Sequence, residues 1–243
     1  MTRNEVSEGR LLGGRVIYRQ LCQGHRSGFE PVLMAALVAA RQGEAVLEAG
    51  TGAGAALLCL AARVPGISAI GIERDQTLAA LAAQNVKANG FARVGIVNGD
   101  ATCLPFAAQS FQHVMANPPW FGDHNTPSAD RMRALAHHAA PSSLGRWITE
   151  LLRVLRDRGS ITLALPAFSY AEVAALLRPH CGGITLVPLW PRLGVNAKMI
   201  LIQAQKASRA PDSVASGLVL HDENGISPQA EVILRGGLAL TTR

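Results

Sequence analysis

The chain has 243 residues, a length that suits one large domain with extensions and can bury a substantial core without disulfides. Its formal charge is +6, and all but three of its 23 basic residues are arginines, which fits a polyanionic partner and fits equally a surface that is basic for no functional reason. The longest apolar run, 31–40, is too short to span a bilayer, and the four cysteines are widely spaced without a CxxC pair. We therefore expect a cytoplasmic protein with no secretory leader, no membrane partner and no structural metal.

Short runs of Val, Ile and Leu alternate with longer Ala- and Leu-rich segments, and this alternation predicts βαβ units and an α/β fold with a parallel sheet. A basic segment comes first, followed by a helix that Pro31 is expected to begin. Five parallel strands are predicted, at 45–50, 67–73, 94–100, 111–116 and 161–166. Helices are predicted at 54–63, 76–89, 142–156 and 167–177. Strands at 183–190 and 197–205 are expected to close a seven-stranded, mostly parallel sheet as an antiparallel hairpin, and a short strand and helix follow at 218–235.

The sequence EAGTGAG at 48–54 lies between the first predicted strand and a helix. Glycines there let the backbone approach a ligand closely, and the helix begins with free N–H groups, so we expect a nucleotide-type ligand. Gly50, Gly52 and Ala55 also satisfy the dinucleotide fingerprint GxGxxG/A. The pattern alone therefore does not separate NAD from S-adenosylmethionine.

Acidic residues stand at the ends of the first three predicted strands: Glu48, Glu73 and Asp100. Glu73 is placed to hold ribose hydroxyls, and Asp100 can accept a hydrogen bond from an adenine amino group. Glu48 would repel a pyrophosphate, whereas it can balance a ligand that carries an ammonium and a sulfonium. Each acid alone could be a solvated residue at a strand end or a turn. Because ligands of open α/β sheets gather at the carboxyl ends of the strands, the three together favour S-adenosylmethionine.

The tetrapeptide NPPW at 117–120 follows the fourth predicted strand. Asn117 offers a side-chain carbonyl and Pro118 a backbone carbonyl, and two acceptors side by side can hold an NH₂ group. Trp120 can stack on a flat base or amide, which would turn the nitrogen lone pair toward an electrophilic methyl group without a strong base. An isolated NPP is more often a turn. Its position beside the cofactor motifs favours methyl transfer to a planar amino nitrogen.

The order of these motifs resembles that of the class I S-adenosylmethionine-dependent methyltransferases, which have a Rossmann-like fold. More narrowly, the chain resembles the bacterial tRNA1(Val) adenine-N6 methyltransferase family in 24–38, 58–66, the Arg/Ala/His stretch after NPPW, and 218–234. The resemblance implies methylation of the exocyclic amino group of adenine in structured RNA, with tRNA as the favoured partner. The organisation of the chain predicts three parts: a basic N-terminal extension and entry segment (1–30), a methyltransferase domain (31–206), and a C-terminal extension packed on it (207–243).

The resemblance assigns roles to individual residues. Gly50, Gly52 and Gly54 would approach the methionine part of the cofactor, with Glu48 ordering their loop. Asn117, Pro118 and Trp120 would hold the target amine. The expected cofactor-binding residues are Gly28, Glu30, Glu48, Gly50, Gly52, Gly54, Glu73, Asp100 and Asn117. Trp120 stands where tyrosine or phenylalanine is commoner, and Glu30 and Glu48 stand where aspartate is frequent, so these departures weaken the substrate assignment more than the reaction type.

Other functions remain open at this stage. The NPPW chemistry permits methylation of a protein glutamine amide or of another nucleobase amine in rRNA or DNA. An NAD-dependent oxidoreductase would leave NPPW and Glu48 unexplained, and a cofactor-binding protein without catalysis is expected if Trp120 blocks the pocket. No metal site is predicted, because His137 and His138 are adjacent and no cysteine or paired acid joins them. Several arginines could meet RNA phosphates or could simply be exposed: Arg10, Arg15, Arg19, Arg26, Arg131 and Arg133.

Overall fold

A central β-sheet organises this computed structural model, which describes residues 5–23, 28–119 and 141–242. The longer strands are β1 Val6–Leu11, β2 Val16–Leu21, β3 Ala45–Ala49, β4 Ser68–Glu73, β5 Val94–Asn98, β6 Phe111–Ala116, β7 Leu155–Pro166, β8 Cys181–Trp190 and β9 Met199–Lys206. Four two-residue strands follow: β10 Ser213–Val214, β11 Leu218–Val219, β12 His221–Asp222 and β13 Gly225–Ile226. The α-helices are α1 Glu30–Leu37, α2 Ala55–Arg63, α3 Gln76–Ala88, α4 Pro141–Val154, α5 Tyr170–Leu177 and α6 Pro228–Leu234.

The main sheet has the strand order β10-β8-β9-β7-β6-β3-β4-β5, and β11 also pairs with β8. Strand β9 runs antiparallel to both β7 and β8, whereas the other neighbouring pairs are parallel. The predicted parallel sheet with an antiparallel closing hairpin is thus confirmed, and the two short strands β10 and β11 add to the seven predicted. After β5 the chain returns to pair β6 with β3, which creates a topological switch point between these two strands.

Side chains of alternate residues in the strands enter two separate hydrophobic clusters on the two faces of the sheet. Val46 packs with α1, α2 and α3 on one face, and Leu47 packs with α4 and α5 on the other. Both side chains have no exposed surface. The sheet is therefore buried on both faces, as a parallel sheet requires.

The boundary between α4 and β7 differs from the prediction. The sequence predicted a helix to residue 156 and a strand from 161, but the helix ends at Val154 and the strand begins at Leu155. Arg158 has φ +67°, and a Cβ atom at Gly159 would lie 2.6 Å from the Gln112 carbonyl oxygen. This local irregularity is a register shift in the pairing of β6 with β7. The pairing continues on both sides of it, so β7 begins earlier than predicted.

The N-terminal extension forms a β-hairpin that the sequence analysis did not predict. Strands β1 and β2 pair antiparallel, and β2 lies against α3. The Asn85 amide accepts from the Arg19 N–H (3.0 Å) and donates to the Arg19 carbonyl (2.8 Å). The Asn89 amide does the same with the Ile17 N–H and carbonyl, at 2.8 and 2.7 Å. Two side chains one helical turn apart thus form hydrogen bonds with backbone N–H and carbonyl groups on the free edge of β2, as a neighbouring strand would.

The C-terminal segment packs on α1 through α6, and the Leu240 N–H donates to the Ala36 carbonyl at 2.9 Å. Ser227 caps α6, because its hydroxyl accepts from the Ala230 N–H at 3.1 Å. Among the helices that the structure describes, none is long and apolar enough to cross a membrane.

Candidate active site

The glycine loop connects β3 to α2 at the switch point of the sheet. Gly50 and Gly52 have φ angles of +68° and +57°, which lie in the left-handed region that other residues rarely adopt. The Gly50 and Thr51 N–H groups both donate to the Ile72 carbonyl, at 2.8 and 3.0 Å. A Cβ atom at Gly52 would meet nothing within 4 Å, so the backbone there faces open space that a ligand can use.

Glu48 lies beneath this loop and is only 4% exposed. Its Oε2 atom accepts from the Thr51 hydroxyl at 2.5 Å and from the Leu57 N–H at 3.0 Å. Leu57 lies in the first turn of α2, and the N-cap residue of this helix, Gly54, has no side chain. Glu48 therefore accepts a hydrogen bond from a backbone N–H that a conventional N-cap side chain would bind. Burial raises the Glu48 pKa to about 8, the two hydrogen bonds act against this rise, and the charge of Glu73 adds to it.

Glu73 ends β4 and joins the glycine loop to the start of α3. Its Oε2 atom accepts from the Gly52 N–H and its Oε1 atom from the Asp75 N–H, both at 2.9 Å. Asp75 in turn caps α3 by accepting from the Thr77 and Leu78 N–H groups. The half-buried Glu73 carboxylate therefore lies beside the open space at Gly52, with lone pairs that can still accept from a ligand.

Asp100 follows β5, and its Oδ1 atom accepts from both the N–H and the hydroxyl of Thr102, each at 2.8 Å. Partial burial acts to raise the Asp100 pKa, but these two hydrogen bonds and the charge of Arg74 outweigh it and lower the pKa. Asp100 is therefore a carboxylate at neutral pH, on the same edge of the sheet as Glu48 and Glu73.

Asn117 and Pro118 follow β6 on the other side of the switch point. In the β3–β6 pairing Ala116 lies opposite Ala49, so Asn117 follows β6 at the level where the glycine loop follows β3. Pro118 is buried and Asn117 is half-buried. Within the part of the chain that the structure describes, the Asn117 side chain makes no hydrogen bond. Trp120, the third predicted amine-holding residue, lies outside the described residues, as do Arg26, Arg131 and Arg133.

Trp147 is a site residue that the sequence analysis missed. It belongs to α4, and its Cη2 atom would lie 2.6 Å from a Cβ atom at Gly50. The indole ring therefore packs directly on the glycine loop and limits the space between the loop and α4. The sequence of an amphipathic helix does not indicate that one of its aromatic residues contacts a loop more than 90 positions earlier in the chain.

Gly28 and Glu30 lie at the start of α1. Glu30 lines a cavity of about 170 Å³ together with Phe29, Lys198 and Leu220. The described residues that line this cavity include none of the glycine loop. The structure thus places these residues at or near the carboxyl ends of β3, β4, β5 and β6, and Glu30 near the same edge of the sheet: Glu48, Gly50, Gly52, Gly54, Glu73, Asp100 and Asn117.

The three arginines of the hairpin that could meet RNA phosphates each bond to the protein. Arg15 Nη2 donates to the Gly236 carbonyl at 2.7 Å, Arg10 Nη1 to the Gly14 carbonyl at 3.2 Å, and Arg19 pairs with Glu8 at 2.9 Å. Among the described residues there is also no group of three or more His, Cys, Asp or Glu side chains arranged to hold a metal ion.

Comparison with known proteins gives the family. Residues 46–159 match the family described as a methyltransferase domain. A tRNA1(Val) (adenine(37)-N6)-methyltransferase of Porphyromonas gingivalis strain W83 is 30% identical over 189 residues, which cover 74% of this chain and 73% of that protein. The chain belongs to the tRNA1(Val) adenine-N6-methyltransferase family. A member of this family from Actinobacillus succinogenes is 26% identical over 199 residues, or 81% of this chain and 82% of that one.

A solved structure agrees with the methyltransferase fold. A predicted O-methyltransferase from Agrobacterium tumefaciens is similar over 88% of this chain and 98% of its own, with 25% identity and a TM-score of 0.73. The chain is an S-adenosylmethionine-dependent methyltransferase of the Rossmann-like class. The carboxyl edge of its sheet suits this cofactor, because the backbone at Gly52 is open to a ligand, Glu73 places an acceptor beside it, and Asp100 follows the next strand.

Proposed function

We propose that this methyltransferase acts on the exocyclic amino group of an adenine in a structured RNA, with a tRNA anticodon loop as the favoured target and the cytoplasm as the compartment. The observation that carries the proposal is the position of Asn117 and Pro118 directly after β6, the strand that pairs with β3 at the switch point. The names of its relatives support RNA as the substrate class.

In this proposal the cofactor half of the site consists of the residues at the ends of β3, β4 and β5. Gly50, Gly52 and Gly54 approach the methionine part, and Glu48 holds their loop in shape. Glu73 accepts from the ribose hydroxyls and Asp100 from the adenine amino group. Gly28 and Glu30 were expected to help bind the cofactor from the segment before α1, and Asn117 to contact it from the other side. When bound, S-adenosylmethionine supplies an electrophilic methyl group.

The residues after β6 hold the target amine. The Asn117 side-chain carbonyl and the Pro118 backbone carbonyl accept its two protons, so the nitrogen lone pair turns toward the methyl group. Trp120 stacks on the base and fixes its angle, and a base splayed out of an RNA loop gives it the access it needs. No side chain has to remove a proton first, because the nitrogen becomes acidic only after it has gained the methyl group. Catalysis is therefore mainly a matter of position and complementary charge.

The decisive experiment incubates the protein with a radiolabelled methyl donor and, separately, total tRNA, ribosomal RNA and release factors. Label in tRNA is the expected result, located in N6-methyladenine after digestion. Label that appears only in protein would reject the RNA assignment and favour a glutamine amide. Binding of NADH without measurable affinity for S-adenosylmethionine would contradict methyl transfer altogether.

The replacement Asn117→Ala tests the role of the amide. Methyl transfer should fall by about two to four orders of magnitude, the scale of losing a positioned polar contact, while S-adenosylmethionine still binds. Gln84→Ala is the matched control, since Gln84 is an exposed amide on α3. Near-normal turnover of the Asn117 variant would show that the amide does not hold the substrate.

A further inference from the structure

Trp147 lies at the end of β3, next to the strand that Asn117 follows. It is half-buried on α4 and packs against the hydrophobic cluster on that face of the sheet. The same cluster contains Ala49 and Ala116, which end β3 and β6 and lie opposite each other. The Trp147 ring contacts Gly50, the first residue after β3. It therefore covers the start of the glycine loop, close to the switch point between the two strands.

The contact between the Trp147 ring and Gly50 closes one side of the loop. The ring carbons Cη2, Cζ3 and Cζ2 would lie 2.6, 3.2 and 3.7 Å from a Cβ atom at Gly50. At Gly52, by contrast, a Cβ atom would meet nothing within 4 Å. The loop is thus open to a ligand at its second glycine, whereas at its first glycine the six-membered part of the indole limits the space.

Both walls of this narrow space are held in place. The Gly50 and Thr51 N–H groups donate to the Ile72 carbonyl at 2.8 and 3.0 Å, which attaches the loop to β4. The Thr51 hydroxyl donates to the buried Glu48 carboxyl group at 2.5 Å. On the opposite wall Ile148, the next residue of α4 after the tryptophan, is buried in the core. Extra atoms between the walls would therefore have to break hydrogen bonds of the loop or displace the helix.

We propose that Trp147 limits the size of the group that this enzyme transfers, so that a methyl group is accepted and larger alkyl groups are excluded. The inference rests on the proposed function, which places the methionine part of the cofactor at Gly50 and the target amine at Asn117. The transferred carbon is bonded to the sulfonium of the methionine part and faces the amine. It therefore lies between the ends of β3 and β6, beside the residue that the Trp147 ring covers.

The chemistry of transfer is the same for a larger alkyl group. The amine nitrogen forms a bond to the alkyl carbon, the carbon–sulfur bond breaks, and its electron pair goes to the sulfur, which becomes a neutral thioether. The alkylated amine then loses its proton to water. In an allyl sulfonium analogue of S-adenosylmethionine the adjacent double bond activates the carbon for attack. Slow transfer from this analogue therefore indicates a lack of space and not a lack of reactivity.

The test measures kcat/KM for transfer to tRNA from S-adenosylmethionine and from the allyl analogue, in the full-length wild-type protein and in variants of Trp147. The ratio of allyl to methyl transfer should rise by about 10- to 100-fold in Trp147→Ala, the range for relieving an overpacked contact. Trp147→Phe should give an intermediate ratio, because its ring is smaller. If the alanine variant does not fold, the phenylalanine variant decides by the same comparison.

Trp190→Ala is the matched control. Trp190 ends β8, which β9, β7 and β6 separate from β3, and its Nε1 atom donates to the Ser216 carbonyl at 3.1 Å. Its loss should leave the ratio of allyl to methyl transfer at the wild-type value. A purely structural role of Trp147 would lower both activities together, so an unchanged ratio in the Trp147 variants would overturn the inference while leaving RNA methylation intact.

Titration of both donors without RNA separates this failure from a failure of the proposed function. The wild-type protein should bind the allyl analogue more weakly than S-adenosylmethionine, and Trp147→Ala should reduce the difference. Absence of transfer to every RNA would reject the proposed substrate, whereas this shift in relative affinity would still support the size limit. Relative affinities that are the same in the wild type and the variant, together with absent transfer, would reject both.

Discussion

The replacement Glu48→Gln should stabilise the ligand-free protein at about pH 8 and leave its stability nearly unchanged at about pH 5. Burial raises the Glu48 pKa from 4.5 to about 8 in the folded protein, against the opposing effect of the hydrogen bonds from Thr51 and Leu57. In the unfolded chain the carboxyl group is in water and titrates near its ordinary value. The folded protein therefore keeps this proton over a pH range in which the unfolded chain releases it.

The sign of the effect follows from this difference in proton binding. Between pH 4.5 and about 8 the folded state holds more protons than the unfolded state, so the free energy of unfolding falls as the pH rises. Over the whole window the loss amounts to as much as roughly 5 kcal/mol, since each pKa unit corresponds to 1.36 kcal/mol. Glutamine has nearly the same shape and no proton to lose. Its carbonyl oxygen can accept from Thr51 and Leu57 as the Glu48 Oε2 atom does.

Urea unfolding across this pH window measures the effect in the wild-type protein, in Glu48→Gln and in the control Glu172→Gln. The control should follow the wild type, because Glu172 is exposed on α5. The Glu48 variant should also bind S-adenosylmethionine more weakly at about pH 8, since it can no longer offer a negative charge to a cationic ligand. A Glu48→Gln protein that keeps the full wild-type dependence of stability on pH would refute the reasoning.

Two further substitutions test the packing of the glycine loop by urea unfolding. An alanine in the left-handed backbone conformation costs roughly 1–2 kcal/mol. Gly50→Ala should lower the free energy of unfolding by more than this, because its Cβ atom also displaces the Trp147 ring. Gly52→Ala should show the backbone cost alone. In a Trp147→Ala background the two glycine substitutions should become similar in cost, and an unchanged difference would rule out the clash. Asn85→Ala should cost about 2–4 kcal/mol, because it removes a fully buried amide that also donates to the Ala53 carbonyl at 2.9 Å. The exposed control Gln84→Ala should be near neutral, and an equally mild Asn85→Ala would argue against the docking of the hairpin on α3.

The central sheet could be predicted because its signals are local. Apolar runs mark β3, β4 and β6 closely, with Gly50 after β3 and Gly66 before β4, and Asn89–Gly90 marks the end of α3. The hairpin of β1 and β2 gave no such signal. The strand VSEGRL of β1 is exposed along most of its length, and β2 is held by amides from α3 that are more than 60 positions away. Pairing that depends on distant side chains leaves no periodic pattern in the strand itself.

The residues of the candidate site also fall into those that the sequence could predict and those that it could not. The positions of Glu48, Glu73 and Asn117 at the carboxyl edge follow from the rule that parallel strands end at one edge, so a strand-by-strand interpretation finds them. Trp147 does not follow from that rule. It contacts the glycine loop through the packing of α4 on the sheet, and nothing in its immediate sequence specifies where that packing occurs.

The strand order explains why reaction type is easier to establish than substrate. Strands β3, β4 and β5 carry the glycine loop and the acids, and they lie on one side of the switch point. Strands β7, β9 and β8 lie on the other side, beyond β6. Changes around Glu30 and Lys198 need not disturb the hydrogen bonds of Glu48 or Glu73, because no described bond connects the two halves at these residues. Residues on the far side of β6 can therefore vary while the glycine loop and its acids keep their hydrogen bonds.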